Sequence, residues 1–73
     1  MPVLAEIGAE LDRATKLHGP MKSAHEAYSV ILEEVDEFWD EVKKRVPDKV
    51  EMRKELIQIA AMAARAVEDL NLE

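Results

Sequence analysis

Apolar residues recur at helical spacing in three stretches of the chain, and strand-like alternation appears nowhere. Val3, Leu4, Ile7, Leu11 and Ala14 mark the first stretch, from about Pro2 to Lys16. Pro2 suits an opening helical turn. His18-Gly19-Pro20 ends the helix, because glycine permits a left-handed cap and proline cannot continue the hydrogen-bond ladder. The second stretch begins at Ser23, where Ser23-Ala24-His25-Glu26 reads as a capping box with Ser23 as N-cap and Glu26 reaching back. It is expected to run to about Lys44 or Arg45, whose charges complement the C-terminal end of the dipole, before Pro47 stops it. The third opens on Asp48-Lys49-Val50-Glu51, a similar cap pattern, and is expected to reach about Leu70. Within it, residues 56–67 are apolar except for Gln58 and Arg65. A helix apolar on nearly all sides needs more than one neighbour, so self-association is expected.

These elements predict an all-α fold: three helices in a single domain over residues 1–73, with the long second and third joined by a very short turn into an antiparallel hairpin. A four-helix-type bundle would then be completed by oligomerisation. A chain of 73 residues buries only about 60% of the surface it exposes when unfolded, and such chains rely on disulfides, metals or oligomers. Cysteine is absent, which removes disulfides, thiolate metal sites and a cysteine nucleophile.

Charge narrows the function. Ten basic residues against sixteen acidic ones give a net charge of -6, a surface that repels nucleic-acid backbones. No nucleic-acid partner is expected. No apolar run is long enough to span a membrane, and no basic segment precedes an apolar stretch as in a secretory signal. A cytoplasmic protein without a membrane partner is the expectation. His18 and His25 lack the spacing of a zinc site.

The second helix carries Glu33-Glu34-Val35-Asp36-Glu37, with Glu41 one turn later. Ile31, Val35, Phe38 and Val42 define its apolar centre, and Glu34 lies at the edge of that stripe, close in angle to Ala27. A carboxylate there is costly unless a cation or donor compensates it. In an antiparallel hairpin, level residues have a constant sum of residue numbers. The turn near Pro47 sets that sum near 92, which pairs Glu37 with Glu55 and Glu34 with Gln58. Each pair within a helix is spaced i, i+3 and shares a face. Three carboxylates and one amide are thereby expected to converge, an oxygen-only set suited to Mg²⁺, or to Mn²⁺, rather than zinc. Glu41 and Glu51 have the same sum. They either extend this acidic cleft or simply lie near the turn.

Glu33-Glu34-x-x-Glu37, followed after 17 residues by Glu55, resembles the signature of the MazG-like all-α nucleoside triphosphate pyrophosphohydrolases. That signature is E-E-x-x-E, a spacer, then E-x-x-D. The resemblance covers about Ser23 to Leu70, and Lys54-Glu55-Leu56 opening an alanine-rich helix is also similar. It implies hydrolysis of (deoxy)nucleoside triphosphates to monophosphate and pyrophosphate by a helical, Mg²⁺-requiring homodimer or homotetramer. It also implies Glu34, Glu37 and Glu55 as metal ligands. The chain departs from the signature at its last position, where Gln58 stands for the family's Asp, bringing an oxygen but no charge. Glu33 and Glu41 are the spare carboxylates for orienting or deprotonating water. Lys54, Arg53, Lys43 and Lys44 are the cations within reach of phosphate, with surface solubility and dipole complementarity as their ordinary roles. The rival expectation is a non-catalytic helical module, either an oligomerising adaptor or a degenerate family member.

Overall fold

The computed structural model describes residues 2–72 as three helices: α1 (Val3–Leu17), α2 (Ala24–Val42) and α3 (Lys49–Asp69). The all-α expectation holds among the described residues. Helix α3 packs against both others, whereas α1 and α2 do not pack on each other. The molecule therefore has a central helix with a flank on either side, and α2 and α3 form the antiparallel hairpin.

Local chemistry sets the helix ends. The Ser23 hydroxyl accepts from the Glu26 N–H at 3.0 Å, while the Glu26 carboxylate reaches back to the N–H of Lys22, one residue beyond the N-cap. Asp48 caps α3 by accepting from the N–H groups of Val50 and Glu51. Helix α1 does not end in a left-handed glycine. Its C-cap His18 is extended, and neither glycine has positive φ. Gly19 and Pro20 instead start a strap that returns across the molecule and buries Met21. Asn71, at φ 55, takes the left-handed position after α3. The N–H of Leu72 then bonds the Val67 carbonyl and that of Asn71 the Glu68 carbonyl, satisfying carbonyls that the helix end leaves open.

Helix α2 stops at Val42, short of the expected Lys44 or Arg45. Glu41 accounts for the early stop. Its buried carboxylate accepts from Lys44 Nζ at 2.7 Å and from the Asp48 N–H at 3.0 Å, clamping the end of α2 to the start of α3. Those two donors, Lys44 first, hold its pKa below the usual carboxylate range. Glu41 thus belongs to the turn and does not extend an acidic cleft.

The core is small and built from small or flexible side chains: Ala14, Met21, Ala27, Ala61, Met62 and Ala66. Ile7, Leu11, Val30, Ile31 and Leu70 pack around it. No large side chain is fully buried. Helix α2 turns the line Ala27–Glu34–Glu41 toward α3, which leaves Val35 at 40% exposure on its flank, away from the expected apolar centre. Beside the core, buried Arg65 donates to the Gly19 carbonyl and faces Asp69 at 3.4 Å, and Asp69 also accepts from the Met21 N–H at 2.9 Å. This pair, a buried arginine and a half-buried aspartate, binds the strap between α1 and α2 to the C-terminal half of α3.

Candidate metal centre

The i, i+3 spacing places Glu34 and Glu37 on one side of α2, and the hairpin brings Glu55 of α3 level with them. One carboxylate oxygen from each of Glu34, Glu37 and Glu55 lies within 4.8 Å of the others. Glu34 and Glu55 are half-buried between the helices, and Glu37 is exposed at the mouth.

Three acids this close cannot all ionise at ordinary cost. Burial, and after it the charge of Glu37 and then of Glu55, pushes Glu34 up to about 7. Burial followed by the Glu37 carboxyl raises Glu55 as well, while Lys54 pulls it down. Glu55 Oε2 is buried and has no hydrogen-bond partner. A buried acceptor is rarely left alone, because its desolvation is otherwise unrecovered. An orphaned acceptor beside two further carboxylate oxygens, with no nitrogen or sulfur donor in the set, fits a hard divalent cation by donor chemistry.

The other sequence-predicted residues fall around this cluster. Gln58 is one helical turn from Glu55, and its Nε2 donates to Glu10 of α1 at 2.7 Å. Glu10 also takes both remaining contacts it needs from Arg13, whose Nε lies 3.0 and 2.9 Å from its two oxygens. The Arg13 hydrogen bond is the main reason Glu10 sits below the usual carboxylate range. Glu33 is exposed, one helical turn from Glu37 on the same side of α2. Lys54 is exposed and lines a groove with Glu6, Glu10, Arg13, Arg53 and Gln58, in which Arg53 pairs with Glu6. Lys43 pairs with Asp40 at 3.1 Å and Lys44 with Glu41, so both serve α2 itself.

Glu34 and Gln58 also line a cavity of about 600 Å³ between α1, the 18–22 strap, α2 and α3. Arg13, His18, Lys22 and Arg65 contribute its basic groups, and Val30 and Met62 its apolar wall. Its volume is in the range that holds a small-molecule ligand. Sequence reasoning did not find it. Arg13, Leu17 and the strap reach it through tertiary packing, and no local pattern marks them.

Comparison of the chain with protein-family models, with curated proteins and with solved structures finds no match.

Proposed function

We propose that the chain is a Mg²⁺-dependent nucleotide pyrophosphohydrolase, cleaving (deoxy)nucleoside triphosphates to monophosphate and pyrophosphate. One observation carries this reading: Glu34, Glu37 and Glu55, the three acids of the E-E-x-x-E and E-x-x spacing, meet within 4.8 Å. The orphaned Glu55 oxygen and the adjoining cavity of about 600 Å³ support it.

Glu34, Glu37 and Glu55 would hold the metal, with Mn²⁺ an acceptable substitute. Bound there, the ion supplies neutralisation of charge on triphosphate oxygens. The chain's own residues supply the rest. Glu33 is the carboxylate free to orient or deprotonate water, because Glu41 is committed to Lys44 and Asp48. Lys54, next to Glu55 in sequence and exposed on the α1 side of α3, would be the cation that meets phosphate. The cavity between α1 and α2 offers apolar walls and basic groups to the remainder of the nucleotide.

A second reading, a non-catalytic helical module, draws on Gln58. Its amide is tied to Glu10, so the position of the family's fourth ligand is neutral and held from α1. Pyrophosphate release from a panel of nucleoside triphosphates with Mg²⁺ separates the two. The enzyme reading expects release that Glu37→Gln abolishes. Equal signals from wild type and variant, or none from either, leave the helical module.

A further inference from the structure

Gln58 stands on α3 between an acid of α1 and an acid of α2. With Glu10 it lines the groove between α1 and α3, and with Glu34 it lines the cavity bordered by the strap. Its Nε2 donates to Glu10 Oε1 at 2.7 Å. Among the described residues that is the one hydrogen bond its side chain makes, so its Oε1 is open to a further partner. Glu10 dictates which way the amide points. Both Glu10 oxygens face Arg13, whose Nε lies 3.0 and 2.9 Å from them, so Glu10 is a carboxylate that can only accept. Its side chain is 13% exposed, which leaves water little part in satisfying it. An amide oxygen turned toward it would be repelled. The nitrogen therefore faces α1, and the oxygen, on the other branch of the same planar group, faces away from Glu10.

We propose that Glu10 is a positioning residue for the metal centre: by holding the Gln58 nitrogen, it presents the Gln58 oxygen to the cation of Glu34, Glu37 and Glu55 as a neutral fourth ligand. The inference rests on the metal-binding reading above and goes beyond it, because nothing in the spacing of the acids reaches into α1. Three carboxylates already exceed the charge of a divalent ion, so a neutral oxygen adds a ligand without adding repulsion. The weakness of a glutamine ligand is its freedom, since half a turn of the amide replaces the oxygen with a donor nitrogen that repels a cation. Glu10 removes that freedom, as the partners that orient metal ligands commonly do. Arg13 holds Glu10 in turn and offsets its charge. What Glu10 contributes is thus orientation rather than added negative potential at the ion.

Mn²⁺ binding by the full chain, followed through the free-ion electron paramagnetic resonance signal, tests this without reference to catalysis. Glu10→Gln installs a group that donates as well as accepts, which frees the Gln58 amide to turn. Mn²⁺ affinity is expected to fall about tenfold or more, with helical circular dichroism kept. Lost charge or disturbed packing would also weaken binding, so the decisive comparison uses Gln58→Asp. A carboxylate at position 58 needs no orienting and is repelled by Glu10. Adding Glu10→Gln to Gln58→Asp should therefore leave affinity unchanged or raise it. Gln58 is the only glutamine and Asn71 the only asparagine, so a nitrogen-15 spectrum of the wild type holds two side-chain amide pairs. Mg²⁺ should move the Gln58 pair and leave the Asn71 pair in place. A wild type that binds no Mn²⁺ would overturn the metal reading and this inference together. Binding that Glu37→Gln abolishes and Glu10→Gln leaves intact would overturn the inference alone. So would an equal loss on Glu10→Gln in both backgrounds, or a Gln58 pair that Mg²⁺ does not move.

Discussion

The side-chain amide of Gln58 donates to the carboxylate of Glu10 at 2.7 Å, joining α3 to α1 beside the acidic cluster. This bond fixes the amide nitrogen on Glu10, so Gln58 has a structural role whatever its carbonyl oxygen contacts. Gln58→Leu removes a donor from a charged acceptor that keeps Arg13. Urea unfolding should show a loss of about 1 kcal/mol. If the midpoint and slope are unchanged, the contact contributes nothing in solution.

The cluster has a pH signature of definite sign. Glu34 rises from 4.5 in the unfolded chain to about 7 in the folded one, chiefly through burial. The folded state therefore holds that proton more tightly. Its contribution to stability is complete below about pH 4.5 and is lost as pH climbs toward 7. Glu55, raised by burial and then by Glu37, acts in the same direction. Glu10 and Glu41 are lowered and act oppositely, adding stability above their unfolded values and losing it in acid. The comparison of wild type with Glu34→Gln isolates the cluster. Without metal, the wild-type melting temperature should fall relative to the variant between pH 4.5 and 7. Parallel curves across that window would show that Glu34 does not sit among buried acids.

Buried Arg65 and half-buried Asp69 anchor the strap through the Gly19 carbonyl and the Met21 N–H. Asp69→Ala strips the carboxylate from a buried guanidinium. Removing one partner of such a pair costs about 3 kcal/mol, a large share of what a small domain has. Chemical denaturation should show that loss, and Arg65→Met with Asp69→Leu together should recover part of it. A single Asp69→Ala variant as stable as wild type would place the strap's anchorage elsewhere.

Much of the local structure could be read from the chain because it is written in short-range patterns. Ser23 and Asp48 cap as their sequences demand, and Pro47 keeps the turn short. A short turn fixes the hairpin register, and that register pairs Glu37 with Glu55 and Glu34 with Gln58, with Glu34 one turn along α2 still within 4.8 Å of the other two acids. What escaped depends on contacts distant in sequence. The rotation of α2 that buries Glu34 and exposes Val35 is set by alanine packing against α3, where small side chains allow the helices to approach along an acidic line. Nothing near Glu10 marks it as the partner of Gln58, 48 residues away. Glu41 looked like one more acid in an acidic helix, and only the fold of the turn supplies its two donors. Asn71 stands in the left-handed position more often given to glycine, so the end of α3 carried no strong signal.

Divalent metal bound only by the folded chain raises its melting temperature, by an amount that grows with the logarithm of metal concentration above the dissociation constant. Mg²⁺ at pH 7.5 should do so for wild type, and Glu34→Gln should remove most of the shift. Titrating Mn²⁺ while following its free-ion electron paramagnetic resonance signal tests the centre most directly. One Mn²⁺ bound per chain, displaced by excess Mg²⁺ and lost in both Glu37→Gln and Glu55→Gln, is the predicted result. Mn²⁺ bound equally well by wild type and by both variants, or bound by none of them, would contradict it.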